Sequence, residues 1–184
     1  VRKNYRELVE TVQLKFTHFV DNSGWPPQGF LSNTQVFDTK VETLLKSGGT
    51  RVAYLMVDAL RYELGYELNK QLVEDADAQL SVAFATLPSI TPVGMASLLP
   101  GAYNKLSVHV KDGKTTPLFD GKPVSDVPSR MGVFKSQYGD RFQEMPLKDF
   151  MKLSKKKMVE NSVDLLVLRS TEIDSFFENH PEDA

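Results

Sequence analysis

The stretch RVAYLMVDAL, residues 51 to 60, limits the possible folds more than any other part of the chain. Its apolar residues run almost without interruption from Val52 to Val57 and then meet Asp58. A strand with one face in water alternates apolar and polar side chains. A continuous run belongs to a strand covered on both faces, as in a parallel sheet between helices. Leu60, Leu64, Leu68 and Leu72 then recur every four residues, so this strand feeds a helix. SVAFA (81–85) reads as the next strand and TPVGMASLL (91–99) as the next helix, with Met95, Leu98 and Leu99 on its buried side. PLKDFMKLSKKKMVENS makes a further helix with Leu147, Phe150, Met151 and Met158 inward, and VDLLVLRS is another apolar strand. This alternation predicts an α/β fold, a mostly parallel central sheet with helices on both faces.

Two Asp-Gly pairs, Asp112-Gly113 and Asp120-Gly121, predict hairpin turns and hence a small β insertion over about residues 104–145. Ahead of the sheet, residues 1–49 read as an N-terminal helical segment packing on a core formed by residues 50–184. Tyr5, Leu8, Val9, Val12, Phe16 and Phe19 mark one face of its first helix, which the turn cluster DNSGWPPQG ends, with Trp25 packing in that turn. Val36, Val41, Leu44 and Leu45 mark a second helix that stops at Gly48 and Gly49.

With 184 residues, 41% apolar and 25% charged, the chain can bury one substantial core. A net charge of -2 and a pI near 6.0 argue against a broad basic surface for nucleic acid. The lack of cysteine rules out disulfides and thiolate zinc sites, so any metal is held by oxygen or imidazole ligands. No stretch is long and apolar enough for a membrane span, and the first residues are charged throughout, which points to a cytoplasmic protein. The chain opens on valine and closes on the polar ENHPEDA, the profile of a piece of something longer.

In open α/β sheets, ligands gather beyond the carboxyl ends of the strands. That rule singles out Asp58, Thr91 and Asp174, with Glu178 one turn after Asp174. These are oxygen donors of the kind divalent cations prefer, and one metal could bridge Asp58 and Thr91. Thr91 precedes Pro92, and proline suits the first helical position, so Thr91 falls at the N-cap and simple capping is its plainest role. The same hydroxyl, at the positive end of a helix dipole and bound to a cation, loses its proton more readily and becomes a candidate nucleophile. Amides of that helix start also suit a phosphate oxygen. Asp58 either caps the following helix or ligates a metal. Arg61 either reaches an anion at the site or is an exposed helix arginine. His18, His109 and His180 lack the paired spacing of metal ligands, and the KKK of SKKKM reads as a solvated helix face.

Taken together, VAYLMVDALRYELGYEL, LPSITPVGMASLLPGA and LLVLRSTEIDSFFEN resemble the PglZ domain, a branch of the alkaline phosphatase superfamily found in bacterial phage-defence systems of the Pgl and BREX type. The resemblance spans about residues 50 to 180 and implies an alkaline-phosphatase-like central sheet, usually two metal ions, and hydrolysis or transfer of phosphate and sulfate esters. It implies that Asp58 is the metal-binding aspartate ending the first core strand and that Thr91 is the hydroxyl nucleophile. Asp174 resembles the aspartate of an Asp-x-x-x-His metal motif, but here the fourth residue on is Glu178, which makes the site harder. Relatives add an Asp-His pair and a further histidine downstream, and no such segment occurs before Ala184. Each zinc or manganese ion would have about two protein ligands in this chain, short of the three usual for catalytic zinc.

The leading expectation is therefore a metal-dependent phosphodiesterase or phosphatase-like domain working among other proteins of a phage-defence system, on a phosphoester, nucleotide or nucleic-acid substrate. The alternative is the same fold with an incomplete metal centre, serving as a protein docking unit. A dinucleotide binder ranks behind both, because DALRYELG has no glycine next to the strand end.

Overall fold

The structure, a computed structural model, describes residues 2–154 and 159–179. It begins with α1 (Arg2–Ser23), and a 3-10 turn (Asn33–Gln35) and a π-helical segment (Phe37–Glu42) lead into α2 (Thr43–Lys46). Next come β1 (Val52–Val57), α3 (Tyr62–Asp75), α4 (Thr91–Ser97) and α5 (Ala102–Lys105). β2 (Leu106–Lys111), β3 (Lys114–Phe119) and β4 (Lys122–Pro123) precede α6 (Val127–Tyr138) and β5 (Phe142–Pro146). α7 (Leu147–Phe150), β6 (Leu165–Ser170) and α8 (Glu172–Asn179) complete the described elements.

β1, β6 and β5 form a three-stranded parallel sheet with β6 in the middle, and β2, β3 and β4 form a separate antiparallel sheet. This is the α/β architecture expected from the apolar runs, flanked by helices and carrying a small β addition. Both Asp-Gly pairs turn hairpins as expected. Asp112 and Gly113 take φ of 50° and 73°, and Asp120 and Gly121 take 47° and 75°, the left-handed pair that matches strand twist in a two-residue loop.

The core lies on one side of the sheet. Tyr54 and Met56 of β1 and Leu165 and Val167 of β6 meet Phe37, Leu99 and Phe134, which come from the π-helical segment, the turn after α4, and α6. Phe37 stands edge-on to both Tyr54 and Phe134, with ring centroids 5.4 and 5.5 Å apart. Offset edge-to-face rings of this kind add to what their burial alone contributes.

Several expectations change. β6 is buried along both faces, whereas β1 is an edge strand whose Leu55 is 49% exposed. No residue of α3 is buried, so its leucines do not cover that face. SVAFA is not a strand of the central sheet. It makes a single parallel bridge, Ser32 to Phe84, because its small Ser81, Ala83 and Ala85 bring little apolar surface and Val82 is exposed. The long helix expected after Pro146 is one turn, α7, and Met151 is its exposed C-cap instead of an inward residue. Met158 lies outside the described residues. Residues 124–145, placed within the insertion by the sequence pattern, instead supply α6 and all of β5 but its last residue, which pack in the main core and sheet. α1 is helical as expected and buries no residue. Trp25 does pack in its turn, edge-on to Phe16 and Phe84 and donating from Nε1 to the Ala85 carbonyl at 2.7 Å.

Candidate active site

The register pairs Val57 with Ser170, so β1 and β6 end side by side. The Asp58 amide donates to the Ser170 carbonyl at 2.9 Å, which fixes Asp58 at the carboxyl edge of the sheet. Its side chain is buried there. Ala59 follows with φ of 57°, and this left-handed turn lets Asp58 Oδ1 accept the Ala59 amide at 3.0 Å. The helix-capping alternative for Asp58 is thereby removed: α3 starts four residues on, at Tyr62, with Arg61 as an N-cap that makes no side-chain cap bond.

Thr91 is not an N-cap either. α4 begins one residue earlier than the Thr-Pro pair suggested, with Ile90 at the N-cap, Thr91 as the first helical residue and Pro92 second. Ile90 already has its carbonyl engaged by the Gly94 amide at 2.8 Å. The Thr91 hydroxyl, free of a capping role, donates instead to Asp58 Oδ1 across 3.5 Å.

β6 runs into α8, whose first turn holds Glu172 and Asp174. Burial pushes the Asp58 carboxyl above its usual range, and the Asp174 charge pushes it further. The bonds from Ala59 and Thr91 and the Arg130 charge pull the other way. Asp58, Thr91 and Asp174 are therefore the part of the expected constellation that the fold brings together. Glu178, a turn further along α8, is exposed. Among the described residues no three His, Asp or Glu side chains converge as metal ligands, so Glu178 does not complete the expected set. His180 lies outside the described residues, and His18 and His109 are exposed. Arg61 is engaged elsewhere, pairing with Glu63 at 2.9 Å and lying over the Phe177 ring at 5.0 Å.

Sequence reasoning missed three other polar groups at this edge. Arg169 of β6 grips Glu144 of β5 through Nε and Nη2 at 3.0 and 2.7 Å. Ser170 donates to Glu172, and that bond holds the Glu172 carboxyl below its usual range. Arg130, in the first turn of α6, is buried and donates from Nη1 to the Ser125 and Val124 carbonyls at 2.7 and 3.3 Å. Burial pulls its guanidinium below the usual value, opposed by the charges of Asp126 and Asp58.

The family model of the BREX system PglZ alkaline phosphatase-like domain matches residues 36–178, most of the chain and every residue of this site. The chain belongs to the PglZ family. The alkaline phosphatase-like protein BrxZ of Escherichia coli O9:H4 (strain HS) is 35% identical over 91 residues, which cover 48% of this chain and 10% of that relative. The chain thus spans a small part of that curated relative's length. No solved structure matches. α1 lies outside the matched stretch, whereas the segment carrying Phe37 and Val41 lies within it.

Alkaline phosphatase-like domains generally use divalent metals, and the PglZ site fits such an ion in part. Two carboxylates, one held above its usual range by burial and then by the charge of the other, are the hard anionic donors that a divalent cation relieves, and the Thr91 hydroxyl supplies a third oxygen. Among the described residues no helix is long and apolar enough to cross a membrane.

Proposed function

We propose that this PglZ domain is the phosphoesterase-type core of a phage-defence protein, with Thr91 as nucleophile and Asp58 and Asp174 as ligands of a divalent metal, zinc or manganese. The observation that carries the reading is the Thr91 to Asp58 pair. A threonine at a helix start that does not cap its helix has its hydroxyl directed at a buried carboxylate beyond a parallel strand, where a nucleophile and a metal ligand would stand side by side. Membership in an alkaline phosphatase-like family supports the same chemistry.

A bound cation would supply charge to favour the Thr91 alkoxide and to offset the charge on phosphorus. Thr91 Oγ1 loses its proton to solvent and bonds to phosphorus as the bond from phosphorus to the ester oxygen opposite breaks, that oxygen taking a proton from solvent. Water then attacks the phosphoryl-threonine, which returns phosphate or a monoester and restores the hydroxyl. A phosphodiester, nucleotide or nucleic acid, is the proposed substrate class. In the full-length protein, Thr91→Ala should lower hydrolysis of bis(p-nitrophenyl) phosphate in manganese buffer by about a thousandfold or more, as loss of a covalent nucleophile does. Wild-type turnover in that variant would overturn the nucleophile assignment.

One observation favours a second reading, a docking unit for other proteins of the BREX system. α1 and α3 bury no residue, and α1 leaves Tyr5, Leu8 and Val12 exposed along one face. Such continuous apolar faces are a feature of interaction surfaces. Full turnover with bound metal in the full-length protein would decide for the enzyme.

A further inference from the structure

Arginine is rarely buried without a counter-ion, because moving a charge out of water costs far more than the fold recovers unless an anion meets it. Arg130 is such a case. Its residue surface is 8% exposed, and among the described residues no carboxylate forms an ion pair with it. Asp126, the nearest in sequence, is occupied as the N-cap of α6, accepting the Ser129 amide at 2.8 Å. Asp58 acts on Arg130 through space without a direct bond. Only Nη1 is engaged, by the two loop carbonyls, so among the described residues the fork formed by Nε and Nη2 meets no protein acceptor.

The topology puts this cation at the site. α6 runs ahead of β5, and β5 is parallel to β1 and β6, so α6 must travel from the carboxyl edge back to the amino edge. Its 12 residues cover about 18 Å, enough to span the strand beside it. Arg130, in its first turn, therefore sits at the edge where Asp58 and Asp174 gather. Arg169 is close enough for the two guanidinium charges to oppose each other, yet Arg169 is ion-paired with Glu144, whereas Arg130 feels Asp126 and Asp58 only through space.

We infer that Arg130 binds the phosphoryl group of the substrate, donating its free fork to two phosphoryl oxygens beside Thr91, a task that the sequence had left open for Arg61. A guanidinium fork matches two oxygens of a tetrahedral anion, and a buried one loses less to solvent than an exposed one. The inference rests on the phosphoesterase reading of the site, and its test does not require turnover.

The probe is inorganic phosphate, titrated calorimetrically into the full-length Thr91→Ala protein in manganese buffer, with and without Arg130→Gln and Arg130→Lys. Arg130→Gln should weaken phosphate at least tenfold, and Arg130→Lys, which keeps the charge and loses the fork, at least threefold. A purely structural Arg130 lowers the unfolding midpoint and leaves the affinity of the folded protein unchanged, and that result would overturn the inference. So would a Thr91→Ala protein that takes up no phosphate at millimolar concentration. If Arg130→Gln does not fold, the lysine variant decides by the same criterion. With Thr91 intact, Arg130→Lys should raise KM for the diester more than it lowers kcat. Failure of Thr91 as nucleophile would leave the affinity difference standing, so the two ideas fall separately.

Discussion

Asp38 Oδ1 accepts the Gly101 amide at 2.8 Å, a bond that fastens the π-helical segment ahead of the sheet to the turn that follows α4. Gly101 sits there with φ of 76°, which suits glycine, and its amide is already directed at Asp38. The bond ties residues 63 positions apart and holds α4, and with it Thr91, against the core. Asp38→Ala leaves a part-buried amide unpaired, which costs about 1–3 kcal/mol. Urea unfolding should show a lower midpoint with an unchanged slope.

Phe37 and Phe134 are both fully buried and meet edge-on, joining the N-terminal segment to α6. Truncating either ring removes a large apolar surface and leaves a cavity that neighbouring rings cannot fill. Phe134→Ala should therefore destabilise by about 3–5 kcal/mol. Because α6 also carries Arg130, the folded fraction of that variant should bind phosphate less tightly, which calorimetry near the start of the unfolding transition would reveal.

The α1 face makes the opposite prediction. Leu8 and Val12 are 61% and 58% exposed, so Leu8→Ser and Val12→Ser together should shift stability by about 0.5 kcal/mol or less. If α1 docks to another BREX protein, the same double change should abolish co-purification with that protein from cells carrying the whole system. Unchanged co-purification would remove α1 from the docking reading.

The strands that carry the site were legible because their sequences leave little choice. Val52–Val57 and Leu165–Leu168 are apolar runs, and each meets polar residues toward the end of the sheet. β5 was not legible, since Gln143, Glu144 and Pro146 interrupt its apolar pattern, and an edge strand tolerates all three. α6 left signals that could have been read: Asp126 and Pro128 at its start and Gly139 past its end. Within it, Arg130 stands four residues before the buried Phe134 and so shares its face, a charged residue on an apolar stripe. Thr91 misled in the other direction. A Thr-Pro pair fits a capped helix so well that only coordinates reveal a helix starting one residue sooner.

Asp58 leads to an expected pH dependence of stability. Burial and the Asp174 charge raise its carboxyl above the ordinary 3.8, so the fold favours the protonated form. A group whose pKa rises on folding contributes stability that is complete below its unfolded value and is lost as pH climbs through the folded one. Asp58→Asn does not titrate and serves as the reference. With chelator present to keep metal away, the wild-type protein should lose stability relative to Asp58→Asn from about pH 4 upward and reach a constant difference above the raised pKa. Urea midpoints for the two proteins between pH 3.5 and 8 would measure that difference. Adding manganese at neutral pH should then stabilise the wild type and leave Asp58→Asn unmoved, because the cation takes the place of the proton that Asp58 has given up. A wild type that gains on the variant as pH rises in chelator would mean that the fold prefers the carboxylate, and Asp58 would then be held by partners other than Asp174.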